Sequence, residues 1–474
     1  MSSTFNLYIM KLNTFLCVLA LICVAKYSIG QQQVHETSTG YDKPNDSLVR
    51  ENLDQWQDLK FGLFMHWGTY SQWGIIESWT LCPEDWTERK AEHGKTYFDY
   101  VKNYENLQHT FNPTDFNPQK WADAAKAAGM KYVVFTTKHH DGFAMYDTKE
   151  SDYKITSPNT PFSVNPKADV TKAIFDTFRQ DGFKIGAYFS KPDWHSDYYW
   201  WRYFPPKDRN VNYEIKKYPE RWEKFKKFTY NQINELTSNY GKVDILWLDG
   251  GQVRPSETNN QDIDMDRIGT MARKNQPGII VVDRTVPGKW ENYVTPEQAI
   301  PERPLDKPWE SCITIGDSFS YVPNDKYKSS KTIVETLVRI ISRGGNYLLN
   351  IAPGPTGDFD KVAYDRLKDL AAWMKINGSA VFATRTVAPY HQGDYYYTQS
   401  KDNKTVNVFH LSDGEVYQQP STYIFDVPEN FKVKKLEVLG FKGKLDWKQQ
   451  QNTITLKCPH VKVDYAMVIQ LKGM

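Results

Sequence analysis

Asp249 ends the apolar run Ile245-Leu246-Trp247-Leu248, and two glycines follow it. A carboxylate at the mouth of a buried strand is costly without a role or a partner, and Gly250-Gly251 lets the backbone turn away and leave it accessible. Two readings fit: a catalytic carboxylate, or an Asp capping the helix after a βα turn. His139-His140 fits three: ligands for a metal, partners for the hydroxyls of a bound molecule, or satisfied structural histidines. Neighbouring side chains on a strand face opposite ways, and neither an HExxH motif nor a Cys partner accompanies the pair, so hydroxyl binding is the better functional reading. Other polar groups close short apolar runs in the same way: His66 after Phe64-Met65, then Tyr188, Asp283-Arg284 and Trp309-Glu310. Glu291, Glu297, Glu302 and Glu310 follow Arg284 and are candidates for the second carboxyl of an acid/base pair.

A scaffold must bring these groups together. The apolar runs are Phe61–Gly68, Lys131–Lys138, Lys184–Ser190, Val243–Gly251, Ile279–Thr285, Trp309–Ile315, Tyr347–Ala352 and, less clearly, Ala380–Thr384. Nearly continuous Val, Ile, Phe and Tyr suit strands buried on both faces of a parallel sheet. Helical patterns separate them: Trp121, Ala124, Ala125 and Ala128 share one face before Gly129, and Ala168–Gly182, Pro219–Gly241 and Ser330–Ser342 behave alike. About eight strand–helix units favour an α/β fold of the closed (β/α)8 or TIM type, whose strand C-termini face the active site. A doubly wound sheet would want a Gly-rich phosphate turn after the first strand, and none is present. After about residue 388 short alternating strands with polar turns predict a small C-terminal antiparallel β-sandwich. The expected domains are a signal peptide at 1–30, a disordered leader at 31–46, the barrel at 47–387 and the sandwich at 388–474.

The leader reads as an export signal, with Lys11, an apolar stretch from Phe15 to Ala25 and small residues in Ser28-Ile29-Gly30. That stretch is short for a bilayer span, and neither Cys17 nor Cys23 has the small residues before it that a lipid-anchor site requires, so a secreted or periplasmic protein without a membrane anchor is expected. Removing Lys11 and Lys26 takes 59 basic against 57 acidic residues to 57 against 57, and no basic stripe points to nucleic acid. Cys82, Cys312 and Cys458 are too widely spread for a disulfide framework or a metal site. Fifteen Trp and thirty Tyr exceed ordinary core needs, and aromatic faces stack on the C–H side of a pyranose.

Phe61-Gly62-Leu63-Phe64-Met65-His66-Trp67-Gly68, Lys138-His139-His140-Asp141-Gly142-Phe143, Trp247-Leu248-Asp249-Gly250-Gly251, Trp309-Glu310-Ser311-Cys312 and Gly344-Gly345-Asn346-Tyr347-Leu348-Leu349-Asn350-Ile351 together resemble the α-L-fucosidases of glycoside hydrolase family 29. Pro308 stands where that family usually has Lys. The resemblance implies a retaining exo-acting hydrolase of fucosylated glycans that needs no metal or organic cofactor. It implies Asp249 as nucleophile and Phe64, His66, Glu77, Trp79, His139, His140, Tyr188, Trp247, Arg284 and Phe319 as the fucose pocket. Ser78 intervenes in what is elsewhere a Glu-Trp pair. Thr295-Pro296-Glu297 resembles the segment that supplies the acid/base in the branch with relaxed aglycone tolerance, so Glu297 is expected there, ahead of Glu302 and Glu291, with Glu310 holding structure. A galactoside-specific relative or a non-catalytic fucose-binding protein are the rival readings.

Overall fold

The computed structural model describes residues 41–473 except Asp85, Asn430 and His460. The expected export segment and residues 31–40 of the leader lie outside the described residues. Within the leader, the Tyr41 hydroxyl donates to the Asn292 carbonyl and Asp46 caps the helix Ser47–Leu59, so the chain contacts the barrel earlier than a disordered leader to residue 46 implies.

Seven of the eight apolar runs form one parallel sheet: β1 (Phe61–Met65), β2 (Tyr132–Lys138), β3 (Lys184–Ser190), β4 (Ile245–Asp249), β5 (Ile280–Asp283), β6 (Glu310–Thr314) and β7 (Asn346–Asn350), in the order β5-β4-β3-β2-β1-β7-β6. Alternate residues serve two cores, as the twofold period of a strand requires. Leu63, Val133, Ile185, Leu246, Val281 and Leu349 face outward with the apolar stripes of the helices. Phe64, Val134, Tyr188, Trp247, Val282, Cys312 and Leu348 pack together inside. The helices Pro118–Ala127, Val170–Gln180, Pro219–Asn239 and Ser330–Ser342 fall where their patterns predict.

The eighth run is not a barrel strand. Ala380 and Val381 continue the buried stripe Trp373, Met374 and Asn377 of the helix Lys361–Val381, whose helical period claims them. The next residues, β8 (Thr384–Arg385), pair instead with the following domain. A non-strand segment, residues 290–298, bridges β5 and β6. The Asp283 and Asn292 amides donate across the β5 side, to Trp290 and Val281, and the Val294, Glu310, Cys312 and Gln298 amides connect it to β6. Glu297 rides on this segment, opposite Cys312.

Beyond the barrel, β9 (His391–Gln392), β10 (Tyr395–Ser400), β11 (Thr405–His410), β12 (Thr422–Asp426), β13 (Lys435–Val438), β14 (Trp447–Gln450), β15 (Thr453–Lys457) and β16 (Met467–Lys472) form antiparallel sheets. One runs β13-β16-β11-β10-β8 with β9 beside β10, the other β12-β15-β14. Val406, Val408, Ile469, Tyr423, Ile454 and Leu456 from both sheets share one core, the sandwich expected. Cys82, Cys312 and Cys458 are free thiols. Among the described residues no helix is long and apolar enough to cross a membrane.

Candidate active site

The inward period of each strand delivers its last polar residue to the barrel mouth. On β4, Ile245 and Trp247 face inward and Asp249 continues the series. The same spacing takes Phe64 to His66, Val282 to Arg284 and Leu348 to Asn350. Asp249 caps no helix, because the next helix begins at Met265 with Asp264 as its cap. Gly250 has φ +90° and a Cβ there would sit 2.2 Å from Pro192 Cδ, while a Cβ on Gly251 would lie 1.9 Å from Thr285 Oγ1. A side chain at Gly250 would meet the Pro192 ring in a left-handed backbone, and one at Gly251 would force Thr285 to move, so the turn that exposes Asp249 favours both glycines.

Asp249 Oδ1 accepts from the Gly250 amide at 2.8 Å and from Arg284 at 3.0 Å, and Oδ2 accepts from the Tyr188 hydroxyl at 2.8 Å. His140 Nε2 stands 3.8 Å from Oδ2. Burial opposes ionisation of this carboxyl, but Arg284, His140, the Gly250 amide and Tyr188 outweigh it and hold its pKa well below the ordinary range. Arg284 uses its other terminal nitrogen on Glu297 Oε2 and its Nε on Thr295 Oγ1 at 3.2 Å. One guanidinium therefore grips both carboxyls.

Three imidazoles line the other side. His66 Nδ1 donates to Asn350 Oδ1 at 2.7 Å, and Asn350 Nδ2 donates to the Phe319 carbonyl at 2.7 Å. Ser190 gives its hydroxyl proton to the Pro192 carbonyl, so it accepts from His140 Nδ1 at 2.6 Å. Ser78 meets His139 Nδ1. Burial lowers the pKa values of His66 and His140 to about 4 and takes His139 well below its usual value. All three are neutral at physiological pH, and His66 and His140 keep an Nε2 lone pair for a ligand hydroxyl.

Phe64 meets His66, Trp247, Tyr188 and Phe319 at ring distances of 4.4 to 6.4 Å. Glu77 is buried and its Oε1 accepts from the Ser320 amide at 2.7 Å; burial, with Glu297 nearby, pushes its carboxyl up to about 7. Trp79 packs on His140 and Trp194, with Arg209 over its ring. Ser78, between them, turns inward to His139, so the inserted residue joins the site.

The α-L-fucosidase family model matches residues 28–379. The chain belongs to that family. It is 26% identical to a plasma α-L-fucosidase of Rattus norvegicus over 90% of this chain and 92% of that one, and 28% identical to the tissue α-L-fucosidase of the same organism over 85% of each. Its fold is similar to that of α-L-fucosidase isoenzyme 1 from Paenibacillus thiaminolyticus, with a TM-score of 0.75 and 27% identity over 90% of this chain and 100% of that one. A Bacteroides thetaiotaomicron family 29 α-L-fucosidase, solved as a trapped covalent intermediate, shares the fold with a TM-score of 0.72 and 23% identity over 94% of this chain and 99% of that one.

The other acids of this fucosidase-family chain lie elsewhere. Glu302 is exposed, and its carbonyl accepts from Arg343, at the start of the loop leading into β7, and from Tyr390. Glu291 is buried and its Oε1 accepts from the Thr285 amide at 3.1 Å. Glu310 begins β6 rather than ending it, and lies inside the barrel against Tyr132, Trp247 and Tyr293. Asn350, Ser78 and Ser190, which orient the imidazoles, were not anticipated as site residues; Asn350 and Ser190 end strands, the position that marked the others.

Proposed function

We propose that Asp249 is the nucleophile and Glu297 the acid/base with which this retaining, exo-acting α-L-fucosidase removes terminal fucose from glycans. The bridging of both carboxyls by Arg284 carries the reading. A retaining pair stands about 5–5.5 Å apart, closer than the roughly 6.5–9.5 Å that makes room for a water in inverting enzymes, and two acids held by one guanidinium are close-set. Asp249, kept ionised, attacks the anomeric carbon while Glu297 protonates the departing oxygen. In the covalent intermediate Asp249 has lost its charge, so Arg284 serves Glu297 alone. That favours the carboxylate form which must then take a proton from water. The Nε2 atoms of the neutral imidazoles accept from sugar hydroxyls, Tyr188 and Trp247 hold the floor, and Phe64 and Phe319 supply an apolar wall for the C5 methyl, which would favour an aryl α-L-fucoside over the matching α-D-galactoside.

One observation favours a second reading of the acid: burial pushes the Glu77 carboxyl up to about 7, the range a general acid needs. Leaving groups separate them. Loss of the acid/base cripples poor leaving groups, spares the first step of a dinitrophenyl fucoside and is rescued by azide with retention; loss of a binding carboxyl weakens all substrates together. Glu297→Ala is expected to show the first pattern and Glu77→Ala the second, and the reverse would move the role to Glu77. Asp249→Gly is expected to lose several orders of magnitude of turnover while folded.

Export through residues 1–30 belongs to the same reading. N-terminal sequencing of the exported protein is expected to begin at or near Gln31, and an acylated Cys17 or Cys23 would overturn it.

A further inference from the structure

We propose that Glu310 is a positioning residue for this hydrolysis: closed inside the barrel beneath the pocket, its carboxyl fixes the strand that carries Asp249 and the segment that carries Glu297 relative to one another. The inference rests on the acid/base reading above and adds a residue that touches neither substrate nor reacting atoms.

Glu310 has no exposure. Its Oε1 accepts from Trp247 Nε1 and from the Tyr293 hydroxyl, each at 3.2 Å, and its Oε2 accepts from the Tyr132 hydroxyl at 2.6 Å. Trp247 precedes Asp249 by two residues on β4. Its ring stacks on Tyr188 at 5.3 Å, the donor to Asp249, and lies 5.3 Å beneath the Arg284 guanidinium. Tyr293 precedes Glu297 by four residues on the bridging segment and stacks on Trp56 at 4.1 Å. The segment is not a regular strand, and its height in the wall is set by its amide bonds to β5 and β6, by Arg284 on Thr295 and Trp56 on Tyr293, and by this carboxyl. A buried network with each member satisfied permits one arrangement. Burial pushes the Glu310 carboxyl up to about 7 against the pull of its three donors, and Gln reproduces the uncharged form while keeping an acceptor for Trp247 and Tyr293.

The test compares Glu310→Gln, Glu310→Leu and Tyr293→Phe with Glu297→Ala, on aryl fucosides of graded leaving-group ability, with melting temperatures. Glu310→Gln is expected to stay within about threefold of the parent, as one exchanged hydrogen bond allows. Glu310→Leu is expected to lose about 100-fold in kcat, the scale of a remote displacement of about 1 Å, with a much smaller change in KM. Tyr293→Phe deletes one hydroxyl inside the wall and loosens only the acid's segment. It is expected to lose about tenfold on poor leaving groups and little on dinitrophenyl fucoside, and it carries the test should Glu310→Leu fail to fold. A folded Tyr293→Phe with the parental leaving-group dependence, beside a Glu297→Ala that shows the steep one, overturns the inference alone. A flat dependence in Glu297→Ala overturns the acid assignment and the positioning role with it.

Discussion

Arg284 gives its two terminal nitrogens to two different acids, which a lysine cannot do: an ammonium is a point charge on a flexible stem, whereas the guanidinium is a rigid fork. Arg284→Lys keeps the net charge and loses the geometry. We predict that kcat/KM falls about 100-fold, the scale of losing one preorganised donor. Arg284 is the largest influence holding the Asp249 pKa down against burial, and a folded Arg284→Lys with the parental kcat/KM would refute the functional importance of the bridge. At this scale the sequence was informative because the inward period of each strand is rigid. Ile245 and Trp247 predict where Asp249 points, and Phe64 predicts His66. Ser78 was opaque, since no pattern tells that a residue inserted between Glu77 and Trp79 will reach His139. Glu310 was expected to hold structure, but at the mouth of the barrel; its place at the start of β6, inside the wall, depends on where that strand begins.

Among elements, the seven strands and their helices were legible because apolar runs and helical stripes differ in period. The wall between β5 and β6 was not, because residues 290–298 are a mixed, Pro-interrupted stretch held in place by tertiary amide and side-chain bonds. The edge strand β14, Trp-Lys-Gln-Gln, is illegible for a like reason: its residues are partly to fully exposed and carry no alternating apolar pattern. The join between the helix Ser47–Leu59 and β1 holds a further surprise. Lys60 there has φ +58° and no exposure, and its Nζ has no hydrogen-bond partner among the described residues. Burial first, then Arg385, lowers its pKa to about 7. Folding thus expels a proton that the unfolded chain keeps up to about pH 10.4. The penalty is full below pH 7 and fades as pH rises from 7 toward 10.4. We predict that Lys60→Met raises stability by about 1–3 kcal/mol at pH 6, the scale of an unsatisfied buried polar group, with a smaller gain at pH 9.5 and unchanged kcat on an aryl fucoside. Thermal melts at the two pH values decide it, and a loss of stability at pH 6 would mean that the amine has a partner.

Across the whole molecule, the barrel and the sandwich share one habit, the burial of phenols. Tyr70, Tyr104, Tyr132, Tyr146, Tyr153, Tyr188, Tyr199 and Tyr293 are pushed well above the ordinary phenol range, in each case by burial first, and Tyr397 and Tyr423 of the sandwich follow them. A group whose folded pKa lies above its unfolded value contributes stability that is fully present below the unfolded pKa, about 10 for tyrosine, and is lost as pH rises beyond it. Each such phenol stays protonated in the fold while its unfolded counterpart ionises, so the losses add. We predict a steep alkaline transition above about pH 10 in which both domains participate. Phenols open to solvent are expected to ionise reversibly first, near the ordinary phenol value of about 10, with near-UV circular dichroism unchanged. The buried set should ionise only in a second step that coincides with loss of that signal, and Lys60→Met should leave the step in place. Spectrophotometric titration of tyrosinate against circular dichroism separates the two phases. A single smooth titration of all the tyrosines near pH 10, with the fold intact, would show that these phenols are not sealed from water.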